Sequence, residues 1–324
     1  MSKSEQALQW GMQYLTSKKL SIGDYKKVAH TPYSVVYAIK TEEGNVFYLK
    51  KTPAALFLEP KVLDFLKKQK CKNIPEVLAK NSDLCCFLMT SCGDISLHQL
   101  FKEEIYLIKL NQGISNYTAI QRVVENKAQQ LLSLGIPDWR LNKFAELYYQ
   151  LIQQDKLLLE EGLSRSEIDR LNQLYPRCVE LCKDLAKYQI PETIGHCDFH
   201  ENNILLDNKT GAVNIIDWGE IVITHPFFSL TGCLWHVTYF NKLKRTDLAY
   251  RKLQSQCIAP WLNLCNEENL LNALNISDQL NGIYAALGYA RMYIATQDQS
   301  STVQQKHHGA IAGCLRSFLQ HNLQ

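Results

Sequence analysis

Apolar residues recur at helical spacing near the start of the chain, with Leu8, Met12 and Leu15 on one face, and predict a helix within residues 1–20. Strand-like pieces then follow. Residues 25–29, 34–39 and 46–50 read as short strands, the last two joined by the turn residues Glu42, Glu43, Gly44 and Asn45. Val62, Leu63 and Leu66 return to helical spacing and predict a helix over 60–69, after which 75–79 and 85–89 complete a set of five strands. Residues 90–94 read as a connector, and beyond it the pattern is mostly helical. A long helical stretch over 165–188 opens on Ser164 and Glu167 at capping-box spacing, and Pro176 is expected to kink or interrupt it. The exception is a hairpin. Residues 204–206 and 213–216 are apolar runs around Asp207, Asn208, Lys209, Thr210 and Gly211, which is turn chemistry. From 231 the pattern is helical again, with a polar break at 297–304 before a last helix. No internal repeat or low-complexity block occurs.

With 324 residues, 46% hydrophobic and 21% charged, the chain is long enough to bury a full core, divided between two lobes. A formal net charge of +3, without a run of five like charges, gives no case for a nucleic-acid or membrane-surface protein. Residues 221–241 carry no Asp, Glu, Lys or Arg and match a membrane span in length. They also include His225, Pro226, Ser229, Thr231, Gly232 and His236, so buried core is the expectation. The eleven cysteines are odd in number, form no Cys-x-x-Cys pair and follow no leader pattern, which points to reduced thiols in a cytoplasm. Cys178 and Cys182, one helical turn apart, read as small core residues.

The candidate chemistry lies at 196–220. Residues 196–203 read His-Cys-Asp-Phe-His-Glu-Asn-Asn, and 215–220 read Ile-Ile-Asp-Trp-Gly-Glu. The hairpin carries Asn203 at one end and Asp217 at the other, with Asp198 just ahead of it. Phosphoryl transfer needs such a set: one carboxylate to take or orient the acceptor hydroxyl, an amide and a second carboxylate to hold magnesium on the nucleotide phosphates. A hairpin whose Asp and Asn residues only make turns does not account for His196, Asp198 and Asp217 together. No Gly-x-x-x-x-Gly-Lys-[Ser/Thr] occurs, which excludes a P-loop enzyme.

The stretch resembles the catalytic core of the aminoglycoside phosphotransferase and choline kinase family. The family pattern is His-x-Asp-x-x-x-x-Asn, then an apolar pair and Asp-[Phe/Trp]-[Gly/Glu/Asp], met here by His196, Asp198, Asn203 and Ile215-Ile216-Asp217-Trp218-Gly219. The resemblance implies an α+β, bilobal, protein-kinase-like fold. A nucleotide-binding lobe with a five-stranded antiparallel sheet would occupy 1–92, and a mostly helical catalytic and substrate-binding lobe 93–324. It implies Asp198 as catalytic base, Asn203 and Asp217 as Mg2+ ligands, and ATP or GTP as co-substrate. Lys50 would contact the α/β-phosphates, with Glu59 as its partner at the start of the next helix, where Pro60 is tolerated. Ser34, in a loop without glycine, would contact the β/γ-phosphates. The backbone of Thr90, Ser91 and Cys92 would bind the adenine, with Met89 lining its pocket. His196 is read as structural, and His200 receives no role. Ser229 stands where the family usually has an aspartate.

The implied reaction moves a γ-phosphate to a hydroxyl of a small molecule, with no nucleic-acid or membrane partner. A protein kinase is one alternative, against which stands the lack of an Ala-Pro-Glu motif; a pseudokinase scaffold is another, against which stands the complete set of catalytic residues. Residues 225–324 hold five acids (Asp247, Glu267, Glu268, Asp278, Asp298) against eight Lys and Arg, so the acceptor is expected not to be polycationic. Acids in 138–170, such as Asp138, Glu146, Asp155, Glu160 and Glu161, are the ones that would spoil this by reaching the cleft. Of Trp235, Tyr239, Phe240, Trp261, Tyr284, Tyr289 and Tyr293, most are expected in the core.

Overall fold

The structure, a computed structural model, describes residues 2–100, 105–240, 242–297 and 306–322. Helix α1 (Lys3–Ser17) opens on a Ser2–Glu5 capping box. Strands β1 (Ile22–His30), β2 (Val35–Thr41) and β3 (Val46–Lys51) follow, then α2 (Glu59–Lys68), β4 (Val77–Asn81) and β5 (Cys86–Thr90). They form one antiparallel sheet in the order β1-β2-β3-β5-β4. The five strands lie where the alternation put them, with β1 extended at both ends.

Alternation along these strands sorts side chains between two cores. Leu49, Cys86 and Leu88 meet Ala7, Leu8 and Leu15 of α1 in a small core on one face. Phe87 points the other way, into the main core with Val62, Leu63 and Leu66 of α2. Lys50 pairs with Phe87 across the ladder and shares its face, so a lysine is buried under α2 at 6% exposure.

The rest of the chain runs β6 (Ile95–Ser96), α3 (Ile105–Val124), α4 (Ala128–Ser133), α5 (Leu141–Ile152), α6 (Asp155–Glu160), α7 (Arg165–Gln173) and α8 (Tyr175–Ala186). It continues with β7 (Thr193–His196), β8 (Ile204–Leu206), β9 (Val213–Ile215), β10 (Ile221–Thr224), α9 (Phe227–Tyr239), α10 (Leu248–Ile258), α11 (Glu267–Ala295) and α12 (Ala310–Asn322). The 165–188 stretch breaks at Leu174, and Pro176 sits in the first turn of α8, where its missing N–H costs nothing. The hairpin β8–β9 forms as expected.

This part holds more strand than the pattern predicted. β7 pairs antiparallel with β10, and β6 joins the hairpin. Every residue of β7 and β10 is buried, so neither shows the alternation that marks a half-exposed strand. Residues 221–240 of the uncharged run are therefore a strand and then a helix, which begins at Phe227 rather than 231. Among the described residues no helix is long and apolar enough to cross a membrane. Within the polar break at 297–304, residues 298–304 lie outside the described residues.

Helices α11 and α12 cross with their backbones close together. A Cβ built on Gly282 would sit 2.5 Å from the Cys314 carbonyl oxygen and 2.9 Å from the Phe318 nitrogen. Backbone cannot step aside as a side chain can, so Gly282→Ala is expected to destabilise by about 1–3 kcal/mol through overpacking. Urea unfolding checks this; a midpoint at or above that of the wild type would mean the two helices do not meet at Gly282.

Candidate active site

The catalytic-type residues lie in two loops that the strands bring side by side. Residues 197–203 connect β7 to β8, and 216–220 connect β9 to β10. The Ile216 N–H donates to the Asn203 carbonyl at 3.0 Å, tying one loop to the other. His196 adds a second tie, with its Nε2 3.0 Å from the Ile216 carbonyl and its Nδ1 accepting the Asp198 N–H at 3.2 Å. The ring is thus neutral with its hydrogen on Nε2, and burial holds its pKa below the ordinary value. Ser229 supports the same histidine: its Oγ accepts the His196 N–H at 2.8 Å and the Tyr117 hydroxyl lies 3.0 Å away. Tyr117 also accepts the His196 N–H, at 2.9 Å. Two hydroxyls thus serve the backbone ahead of Asp198, beside the position where the resemblance led us to expect an aspartate.

Asp198 is half exposed and held from two sides. Asn203 Nδ2 donates to its Oδ2 and to its carbonyl, both at 2.8 Å. His200 Nε2 lies 2.9 Å from its Oδ1, and the Asn202 N–H donates to His200 Nδ1, so Nε2 carries the hydrogen given to Asp198. Partial burial alone would raise the Asp198 pKa, but the His200 hydrogen bond and charge, with His196 and Asn203, hold it well below the usual carboxylate range. Asp198 is therefore ionised at neutral pH. Asn203 has spent its amide nitrogen on Asp198, which leaves its amide oxygen as the group able to ligate a cation.

Lys50, Glu59 and Asp217 form the other half of the site. Lys50 Nζ lies 2.6 Å from Glu59 Oε2 and 2.5 Å from Asp217 Oδ1. Burial would lower the Lys50 pKa, but the charges of Asp217 and Glu59 raise it above the ordinary lysine value. Glu59 is the first residue of α2 with Pro60 behind it, and its Oε1 also accepts the Trp218 N–H at 3.0 Å. That bond fixes the chain just after Asp217, whose φ of +66° is left-handed. Such a backbone costs on the order of 1 kcal/mol for a non-glycine residue and is held here by its neighbours. Ser34 lines the same cavity as Lys50, Asp217 and Tyr33. Its N–H and hydroxyl are both engaged with the Thr31 hydroxyl in a tight turn.

At the connector, three backbone groups expected to face a base are already used. Thr90 N–H bonds Glu76, Ser91 N–H bonds Val46, and the Cys92 carbonyl accepts Asn214 Nδ2 at 2.5 Å. The Cys92 N–H has no partner among the described residues and remains as a donor. Met89 is partly buried at the end of β5.

Sequence reasoning missed Glu220. It lines the cavity with Tyr33, Asp217 and Met292, and burial, with repulsion from Asp198 and Asp217, raises its carboxyl to about 8. Its position three residues after Asp217 was the available signal. Tyr33 is pushed up to about 12 by burial, then by Glu220, Asp198 and Asp217. The expectation for the aromatics also needs correction. Trp261 and Tyr284 are core, but Trp235, Tyr239, Phe240 and Tyr289 are exposed by 38–56%. Trp235, Tyr239 and Phe240 pack on one another at the end of α9, where little lies above them.

The fold and this pair of loops define a protein-kinase-like phosphotransferase. A model of the phosphotransferase enzyme family matches residues 29–260, and the chain belongs to that family. Its structure is similar to that of an ethanolamine kinase of Plasmodium vivax, at 11% identity and TM-score 0.64, covering 92% of this chain and 84% of that one. It is also similar to the GDP and kanamycin complex of APH(2")-IIia (15% identity, TM-score 0.61, covering 97% and 99%). A third likeness is to the choline kinase LicA from Streptococcus pneumoniae (12% identity, TM-score 0.58, covering 96% and 99%). At such identities these structures testify to the fold. No curated protein matches the sequence.

The Glu220 carboxyl keeps its proton up to about 8 in the folded protein, against an ordinary value of 4.5. Between those values the native state binds more protons than the unfolded chain, so this group's contribution to stability falls as pH rises. Glu220→Gln is expected to gain stability relative to the wild type on going from pH 5 to pH 8. A melting-temperature difference between the two proteins that stays constant across this range would refute the protonated carboxyl.

Proposed function

We propose that this protein transfers the γ-phosphate of ATP or GTP to a hydroxyl of a small molecule. The observation that carries the reading is the convergence of Asp198 with Asn203 and of Asp217 with Lys50 in two loops tied by backbone hydrogen bonds. Lys50, pinned by Glu59, is placed to bind phosphate oxygens; a buried, fixed ammonium loses little entropy on doing so. Ser34 and Tyr33 cover the same space from the loop between β1 and β2. The Cys92 N–H is the donor we assign to the base, beside Met89, Thr90 and Ser91. We place the division between the two lobes at residues 92 and 93. Gly93 supports this, because a Cβ there would meet the Leu205 Cβ at 2.5 Å as the connector docks on the hairpin.

The donor set fits magnesium: an amide oxygen of Asn203 and the carboxylate of Asp217, with the ionised Asp198 adding negative charge that Lys50 alone does not offset. When bound, the ion would neutralise charge on the transferring phosphate. Asp198, ionised and oriented by His200 and Asn203, accepts a hydrogen bond from the acceptor hydroxyl and aligns it. Its low pKa makes it a weak base, which suits a loose transition state in which the proton leaves late. The eleven unpaired thiols fit a reducing cytoplasm.

For the acceptor we favour a neutral or singly charged, sugar-like compound. The five acids named in 138–170 have partners of their own: Asp138 binds Arg140, Glu146 accepts from Gln150 Nε2, Asp155 pairs with Arg165, Glu160 with Lys156, and Glu161 accepts the Ile311 N–H. The exposed Trp235, Tyr239 and Phe240 offer faces for stacking or a cation–π contact.

The test is an ATP- and GTP-consumption screen of the purified protein against a panel of hydroxyl-bearing metabolites and antibiotics. Turnover is expected with a neutral or monocationic acceptor, and Asp198→Asn should keep the fold and nucleotide binding while losing about 10²–10⁴-fold in kcat. Near-wild-type turnover in that variant would remove Asp198 from the reaction. Efficient phosphorylation of kanamycin-type antibiotics would overturn the acceptor class.

A further inference from the structure

Next to His200 lie Glu201, His236 and His98, side chains to which the proposed phosphotransfer gives no role. Glu201 follows His200 and is 1% exposed. Its Oε2 has no hydrogen-bond partner among the described residues. His236 Nδ1, from α9, lies 3.9 Å from that oxygen, and His98 Nδ1 lies 3.8 Å from the other. The His200 and His236 rings are parallel at a centroid distance of 4.3 Å. One donor atom each from His200, Glu201 and His236 fall within 4.8 Å of one another.

A buried carboxylate oxygen without a donor is costly, and native proteins rarely leave one. The imidazoles do not satisfy it, because 3.8–3.9 Å is too long for a hydrogen bond. Two imidazoles and a carboxylate are instead a ligand set for a metal ion. Zinc–nitrogen and zinc–oxygen bonds of about 2.0–2.2 Å put neighbouring donors of one tetrahedral ion roughly 3.4 Å apart, so the 3.9 Å Glu201–His236 pair closes by about half an ångström and His200 turns its ring toward them. Magnesium prefers an all-oxygen octahedron, so nitrogen donors select the zinc class of divalent transition metals.

We propose that Glu201, His236 and His200 form a binding site for a zinc-class divalent cation, and that filling it inhibits phosphotransfer. His200 is the link, since its Nε2–H holds Asp198. As a metal ligand it turns away from that carboxylate, and Asp198 loses the contact that orients it. His98 lies beside Glu201 with its side chain exposed to solvent. Metal binding depends only on the cluster; the inhibition rests on the role given to Asp198 above.

Binding is measured first, without nucleotide, by titrating Zn2+ into the metal-stripped full chain against a chromophoric chelator. One ion per chain is expected, with affinity at least tenfold weaker in His236→Ala and in Glu201→Gln. Because eleven thiols are free, Co2+ is then substituted and its absorption recorded. Nitrogen and oxygen ligands give no thiolate charge-transfer band. That band, or unchanged affinity in both variants, overturns the site. Anomalous scattering from Zn2+-soaked wild-type crystals decides the matter even when a variant fails to fold: density between His200 and His236 supports the site, and density elsewhere refutes it. Basal nucleotide hydrolysis at saturating Mg2+ is then followed with added Zn2+. Inhibition of the wild type, with at least tenfold weaker inhibition of His236→Ala, supports the link to Asp198. Full zinc occupancy with unchanged hydrolysis refutes that link and leaves the metal site standing.

Discussion

The site depends on one buried lysine. Lys50 is carried on a strand, Glu59 opens the next helix, and Asp217 lies in a loop 167 residues away, so a single ammonium joins three distant parts of the chain. Removing one partner of a buried ion pair costs about 3–5 kcal/mol, because the other charge is left in a poor solvent. Here the ammonium faces two carboxylates, and the surplus negative charge falls on Asp217, the more exposed of the two. The arrangement is complete as a scaffold and incomplete in charge. It is positioned to receive a cation and phosphate groups together.

Three hydrogen-bonded layers transmit this order to Asp198. Glu59 fixes the backbone after Asp217 through the Trp218 N–H. His196 reads the position of that loop at the Ile216 carbonyl and passes it to the Asp198 N–H. Ser229 and Tyr117 then hold the His196 backbone from below. Each contact uses a neutral or fully paired group, so burial adds rigidity without an uncompensated charge. The serine at 229 does by hydroxyl what an acidic residue would do only at the cost of desolvation.

Much of this was legible in the sequence. Strand β2 alternates in burial along its length, and β3 and β5 send alternate side chains to the small core under α1 and to the main core under α2. Lys50 ends such a run, and the same alternation that put Leu49 under α1 put Lys50 under α2. Pro60 forced Glu59 to a helix start, which is where it lies. By contrast, β7 and β10 are buried on both faces, so their alternation vanishes and a strand cannot be told from a buried helix. Glu201 and His236 were passed over because their significance lies in neighbours from other elements, which no local spacing encodes. Trp235, Tyr239 and Phe240 belong to a set of seven aromatics of which most were expected in the core on residue type. Exposure of three packed aromatics at a helix end is a tertiary fact.

Binding of a non-hydrolysable ATP or GTP analogue, followed by calorimetry with and without Mg2+, tests the central claim most directly. One site per chain is expected. Affinity should rise at least tenfold on adding Mg2+, and Asp217→Ala should abolish that rise while leaving the metal-free binding in place. Absence of nucleotide binding, or a magnesium effect unchanged by Asp217→Ala, would contradict the account.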